Sequence, residues 1–327
     1  DERECHMRER YRLVQNTGAI LELPKEGAVT QLQNYKNMLV RPFMIYADFE
    51  STLVKTNDPQ KLAEHIPNSV GLAFVCTFDP SRNYYKQFVG DDCVINFMLE
   101  LKCIAEDCIK EMQKNERMVM EEADWKAFKK AKCCHICQKA FDPEDDKEKF
   151  RGAAHNKCNI NYFSNRFLPV VMHNLRNYDS HFIIRAAHEI NDKFGEETRF
   201  SAIPNNYEKF LSFSIGPLKF IDSFQFMASS LEKLAENLYD KEDKYKNFHN
   251  MKREFPEHID LLCKKGHYPY EWVDSHDKLN NIGLPPIGNF YSELKKESIS
   301  EKYYKHAQHV YETMACQSFL DYHSIYL

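Results

Sequence analysis

The apolar and polar positions of this chain fall into an alternating succession of strand-like and helix-like segments, the mark of an α/β protein. The first clear segment is Phe43-Met44-Ile45-Tyr46-Ala47-Asp48-Phe49-Glu50, mostly apolar residues leading into two carboxylates one residue apart. Residues i and i+2 of a strand share a face. Asp48 and Glu50 are therefore expected at a strand end, facing one pocket, with Phe49 facing the opposite layer. Residues 69–78 (SVGLAFVCTF) and 82–89 (RNYYKQFV) are rich in strand formers and flank Asp79-Pro80-Ser81, a hairpin signal. Phe97, Leu101, Ile104, Cys108 and Met112 then recur at helical spacing, and Glu116 to Lys132 reads as a second, more charged helix.

Residues 167–173 (FLPVVMH) read as a buried strand that runs into a polar turn, followed by a helix with Phe182, Ile183, Ala186 and Ile190 on its apolar face. Asp179 falls at the start of that helix, where it can join Asp48 and Glu50 around a metal or cap the helix through its side-chain oxygen. Asn174 in the same turn can hydrogen-bond a nucleotide or close the turn. Residues 209–215 and 218–224 flank Gly216-Pro217 and read as an antiparallel pair, with Asp222 a weaker site candidate. Ser229 and Glu232 form a capping-box pattern before a helix with Leu231, Leu234 and Leu238 as its apolar face. Residues 239–255 read as a solvated charged segment, and 256–298, with Pro269, Pro285 and Pro286, as an ordered loop packed on the core. Residues 299–318 predict a helix capped by Ser300, and Phe319 to Leu327 begins a further helix or turn carrying Tyr322, His323 and Tyr326.

Composition narrows the class. The chain has 327 residues, 43% of them hydrophobic, enough for one large domain with an insertion or two ordinary domains. A net charge of -5 excludes a uniformly basic nucleic-acid binder, so a nucleic-acid partner would need a local basic groove and metal ions to offset phosphate repulsion. Eleven Cys, an odd and scattered set, do not read as a secreted disulfide framework; a reducing compartment with some Cys on metal is expected. No apolar run approaches the roughly 18 to 20 residues of a membrane span, and neither a signal peptide nor a membrane partner is expected. The chain starts without Met and stops straight after an aromatic-rich helical pattern, so a piece of a longer protein is expected.

Two patterns carry chemistry. Cys134-x2-Cys137, a gap of 17 residues, then His155-x2-Cys158 suits a tetrahedral structural zinc with every position filled. Cys133 could replace Cys134 only with a less usual spacing. Asp48 and Glu50 on one face can hold divalent cations through hard oxygen ligands, the start of two-metal phosphodiester cleavage. Alone, the same pair reads first as a solvated strand end.

The pieces stand in one order: Tyr46-Ala47-Asp48-Phe49-Glu50, then His173-Asn174-Leu175-x-x-Tyr178-Asp179, then Asp321-Tyr322-His323-x-x-Tyr326-Leu327. This order resembles the DEDD exonuclease domain of protein-primed family B DNA polymerases, in particular those of large self-synthesising DNA transposons and related viruses in animals. The resemblance runs from about residue 40 to the end and includes Ile221-Asp222-Ser223-Phe224, Lys265-Gly266-His267-Tyr268-Pro269-Tyr270, Leu284-Pro285-Pro286 and Tyr304-Lys305-His306-Ala307. It implies a ribonuclease-H-like mixed sheet flanked by helices, with a small zinc-binding insertion. The divisions expected are an N-terminal extension (1–40), a first exonuclease part (41–132), the zinc insertion (133–163) and a second exonuclease part (164–327), ahead of a polymerase domain.

The resemblance further implies 3′-to-5′ hydrolysis of DNA with two Mg²⁺ or Mn²⁺ ions. Asp48, Glu50 and Asp179 would ligate metal. Tyr326 would orient the attacking water, and Asn174 and Tyr178, with His173 beside them, would hold the single-stranded 3′ end. The implied partners are DNA and the polymerase domain of the same parent chain, in the nucleus or at a viral replication site. The pattern departs from the family twice. A further metal Asp would stand at position 330, beyond Leu327. The zinc segment resembles an endonuclease VII type of His-Me finger, yet Phe141 to Phe150 carries no His, so its nuclease chemistry is expected to be lost. The alternative expectation is a domesticated, inactive relative that binds nucleic acid or protein through the same fold.

Overall fold

The computed structural model describes residues 40–56, 63–114, 120–136, 139–141, 147–148, 153–155, 167–190, 199–206, 209–293 and 295–327. The chain divides into two units, one of residues 1–39 and 120–162, the other of residues 40–119 and 163–327. The second unit begins with β1 (Phe43–Val54), β2 (Glu64–Cys76), β3 (Tyr84–Val89) and α1 (Cys93–Gln113). The first unit then contributes α2 (Glu122–Lys130), β4 (Lys147–Glu148) and β5 (Ala154–His155). The chain returns with β6 (Leu168–Met172), α3 (Ser180–Glu189), β7 (Phe200–Pro204), β8 (Phe210–Ile215) and β9 (Leu218–Asp222). Five helices follow in the second unit: α4 (Leu231–Asn237), α5 (His249–Glu254), α6 (Ile259–Leu262), α7 (Glu301–Thr313) and α8 (Phe319–Tyr326).

Among the described residues the second unit holds a seven-stranded sheet in the order β3-β2-β1-β6-β9-β8-β7. The central strands β1, β6 and β9 run parallel; the outer pairings are antiparallel. This mixed sheet flanked by helices is compatible with a ribonuclease-H-like fold. Odd-numbered residues of β1 face a core built with α1 and α3. Phe49 meets Phe97 of α1 edge-on at 5.4 Å and Phe182 of α3 at 6.1 Å. Phe97, Leu101, Ile104 and Cys108 are buried, as the helical spacing predicts, each large apolar side chain contributing about 1.5–3 kcal/mol on burial. A second core joins Leu261, Tyr268, Val273, Leu279, Ala307, Val310, Phe319 and Tyr322, which ties α7 and α8 to the Pro-rich loop. Among the described residues no helix is long and apolar enough to cross a membrane.

Several boundaries differ from the sequence expectation. β1 does not end at Glu50 but continues to Val54, and the register with β2 shifts between Glu50 and Ser51. Glu50 pairs with Ser69 and Ser51 with Pro67, which leaves Asn68 as the extra residue of a bulge. Asn68 is fully buried, donates to Thr52 Oγ1 at 3.0 Å and accepts from Ser69 Oγ at 2.9 Å. The bulge thus replaces lost ladder bonds with side-chain bonds, and the strand survives it. The helix expected over 116–132 spans Glu122–Lys130, opened by a reciprocal cap between Glu121 and Asp124; residues 115–119 lie outside the described set. The cap of α4 is Ser230, not Ser229: its hydroxyl accepts from Lys233 N. Leu231 and Leu238 are exposed, so α4 presents no buried leucine stripe. The last long helix stops at Thr313, because Ala315 takes a left-handed φ of 52°.

Replacing Asn68 by Ala removes the side chain that satisfies the bulge and leaves buried hydroxyls short of partners. Urea unfolding should show a loss of ~1–3 kcal/mol; an unchanged midpoint would mean that the bulge does not depend on this amide.

Candidate active site

Asp48 and Glu50 lie on β1, the turn carrying Asn174 to Asp179 leaves the C-terminal end of β6, and Asp222 ends β9. The carboxyl ends of adjacent parallel strands in an open α/β sheet are where ligands bind, because the connecting loops diverge there. The turn after β6 needs a left-handed residue, and Asn174 supplies it at φ 68°. Asp222, fully buried, holds that turn in place. Its Oδ1 accepts from Asn174 N and Phe224 N, both at 2.9 Å, and its Oδ2 accepts from Arg176 N at 3.2 Å. The Arg176 guanidinium lies 3.6 Å from the same carboxylate. Asp222, only a weak candidate from sequence, is thus the anchor of the segment that presents Asp179.

Asp179 occupies the N-cap position of α3, but its side chain makes no capping hydrogen bond. It is 4% exposed, and its Oδ1 is buried with no hydrogen-bond partner. A buried carboxylate oxygen without a donor is rare in proteins and calls for a reason. Burial, then the charges of Asp48 and Asp222, push the Asp179 carboxyl up to about 8. Burial pushes Glu50 up to about 8 as well, helped by repulsion from Asp48 and Asp179. Asp48 keeps a water-facing side, yet protein crowds it elsewhere; burial raises it to about 6 against the opposing hydrogen bond from Phe49 N at 3.1 Å. The three groups are therefore electrostatic neighbours that raise one another.

Among the described residues, no group of three or more His, Cys, Asp or Glu side chains lies close enough together to hold a metal ion. The donor set nonetheless suits a hard divalent cation: three carboxylates, mutual repulsion, and an unpartnered oxygen on Asp179. Such an ion would draw the three carboxylates together.

Tyr326 closes the last turn of α8, whose start is fixed by a capping box between Ser318 and Asp321. Its ring rests on Gly266, where a Cβ would come within 2.6 Å of Tyr326 Cδ2. Tyr268 packs against the same ring at 4.8 Å, and the Tyr270 and Tyr326 hydroxyls share a hydrogen bond of 2.7 Å. Burial and the nearby Glu50 charge push the Tyr326 phenol up to about 12, so it stays protonated and is a hydrogen-bonding group rather than a base. Gly266, Tyr268 and Tyr270 were not among the site residues read from the sequence. Their signal was the Gly266-His267-Tyr268-Pro269-Tyr270 run, but a ring seat formed across 60 residues has no local signature.

The other expected site residues divide. Tyr178 stands beside the carboxylates: burial pushes its phenol up to about 12, and its hydroxyl bonds His65 Nδ1. Asn174 presents an exposed side chain from the turn. His173 has both ring nitrogens engaged inside the protein, by Ser223 Oγ and the Ser229 carbonyl, each at 2.9 Å. Of the expected zinc set, Cys134 is buried against Ile136 and Ala154, while neighbouring Cys133 is exposed. Cys137, Cys158 and the side chain of His155 lie outside the described residues. No protein-family model, curated protein or solved structure matches this chain.

The carboxylate repulsion has a measurable sign. A carboxyl raised from its ordinary 3.8 to about 8 stabilises the fold fully below its unfolded value, and that contribution is lost as pH rises to about 8. In chelator, Asp179→Asn should leave the melting temperature near wild type below about pH 4 and raise it increasingly up to pH 9, by about 2–4 °C for each kcal/mol relieved. A lower melting temperature than wild type at pH 9 would show that the carboxylate is not strained by its neighbours.

Proposed function

We propose that this chain is a metal-dependent nuclease unit that removes nucleotides from the 3′ end of DNA, the proofreading exonuclease portion of a protein-primed family B DNA polymerase. The observation that carries the reading is the electrostatic coupling of Asp48 and Glu50, on one face of β1, to Asp179 in the turn after β6, with an unpartnered Asp179 oxygen. The strand order β3-β2-β1-β6-β9, an antiparallel meander followed by parallel crossovers, supports a ribonuclease-H-like fold. The order of the three sequence motifs supports the narrower family.

Asp48, Glu50 and Asp179 would hold two Mg²⁺ or Mn²⁺ ions. Bound divalent ions of this kind acidify water and polarise the phosphoryl oxygens. The protein's own groups supply the rest. Glu50 and Asp179, which retain protons near neutral pH, would have to lose them to hold such ions. Tyr326, kept protonated and braced by Tyr270, orients the attacking water near Glu50. Asn174 and Tyr178 hold the strand on the other side. Position 330 would supply a further carboxylate, and the polymerase domain would follow in the parent chain. A structural zinc on Cys134, Cys137, His155 and Cys158 belongs to the same proposal, as does action where DNA is replicated, in the nucleus or at a viral replication site.

The test is a 3′-labelled single strand incubated with Mg²⁺ or Mn²⁺ and the chain extended through position 330. Asp48→Ala should lower the cleavage rate by at least ~100-fold, the scale of losing transition-state charge stabilisation. Cleavage that Asp48→Ala leaves unchanged would sink the reading.

A further inference from the structure

The nuclease reading does not use the most buried polar residue of α8. We propose that His323 is a positioning residue that sets the Tyr326 phenol relative to Glu50 through a one-way hydrogen-bond relay. The inference rests on the proposed function above.

His323 has no exposed surface and lies three residues before Tyr326, on the same side of the helix. Both ring nitrogens are occupied: Nε2 meets Ser69 Oγ at 2.6 Å, and Nδ1 meets the Tyr268 hydroxyl at 2.7 Å. The direction of each bond follows from its far end. Ser69 spends its only proton on Asn68 Oδ1 at 2.9 Å, so its oxygen must accept from His323. Nε2 therefore carries the hydrogen. Burial keeps the ring neutral, depressing it to about 4, so Nδ1 is bare and must accept from the Tyr268 O–H. Asn68 completes the chain by donating its Nδ2 hydrogen to Thr52 Oγ1 at 3.0 Å.

The two ends of this relay sit at the site. Ser69 is the direct cross-strand partner of Glu50, and Asn68 is the bulge residue beside it. Tyr268 is the ring against which Tyr326 packs at 4.8 Å. The relay therefore couples the strand next to Glu50 to the wall behind Tyr326, two parts that otherwise belong to separate apolar cores. An apolar side chain could fill the same space, but it would leave the spacing of phenol and carboxylate to packing alone. A satisfied polar network admits one arrangement, and a half-satisfied one is penalised.

Three measurements on this chain test the assignment. Nitrogen-15 histidine spectra should show His323 as a neutral ring protonated at Nε2, identified by the loss of its signal in His323→Gln; protonation at Nδ1 would overturn the relay. Terbium ions, hard oxygen-seeking probes excited through nearby tyrosines, report phenol-to-metal spacing. Ser69→Ala and His323→Leu should bind terbium with wild-type affinity but give weaker tyrosine-sensitised emission at saturation, with His323→Gln recovering part of it. On 3′-labelled DNA, with the chain extended through position 330, kcat should fall ~10-fold while KM holds, the usual scale for a lost supporting hydrogen bond. Full emission and full kcat in both Ser69→Ala and His323→Leu, with only the melting temperature lowered, would make His323 an ordinary core residue. If His323→Leu does not fold, Ser69→Ala, which removes one oxygen atom, carries the test. Failure of the nuclease reading has its own signature, terbium binding and DNA cleavage both unchanged by Asp48→Ala, and it would overturn this inference as well.

Discussion

Repulsion among Asp48, Glu50 and Asp179 is the constraint around which the sheet, the turn after β6 and the last helix are arranged. Like charges in a crowded cleft favour protonation or separation. Here separation is prevented from three directions. Strand alternation holds Asp48 and Glu50 on one face of β1, the bulge at Asn68 fixes the strand beside Glu50, and Asp222 pins the turn that presents Asp179. The core beneath, with Phe49 set between Phe97 and Phe182, leaves β1 no room to turn its carboxylates away.

Asp179 and Asp222 show one residue type in opposite surroundings at the two ends of one turn's support. Asp222 is fully buried and met by three backbone N–H groups and a guanidinium, so both of its oxygens have partners inside the protein. Asp179 is nearly as buried and has an oxygen that nothing meets. Asp222 has its partners built in, whereas Asp179 is left in need of one. The tyrosines around Glu50 follow a parallel logic. Burial beside a carboxylate holds Tyr178 and Tyr326 in the protonated form, which keeps them as hydrogen-bonding groups at any working pH.

Much of this was legible in local patterns. Period-two alternation put Asp48 and Glu50 on one face, helical spacing found the buried stripe of α1, and a polar turn between strand and helix located Asp179. The features that escaped depend on residues distant in sequence. β1 continues past Glu50 because Asn68, on another strand, accommodates the bulge. Asp222 resembled any strand-end aspartate until the turn at 174–176 folded over it. Gly266 looked like a loop glycine, yet it is the seat of the Tyr326 ring. The cap at Ser230 instead of Ser229 is a different kind of miss: only Ser229 has a Glu three residues later, yet the backbone starts the helix one residue on and brings the Ser230 hydroxyl to Lys233 N.

The central claim is that the three carboxylates form a cation site. Crystals soaked in manganese chloride, measured at the manganese absorption edge, test it without reliance on turnover. The account predicts an anomalous peak in contact with Asp48, Glu50 and Asp179, with the Asp179 Oδ1 now engaged. Saturating manganese that gives no peak between these side chains, and leaves that oxygen as unpartnered as before, would contradict it.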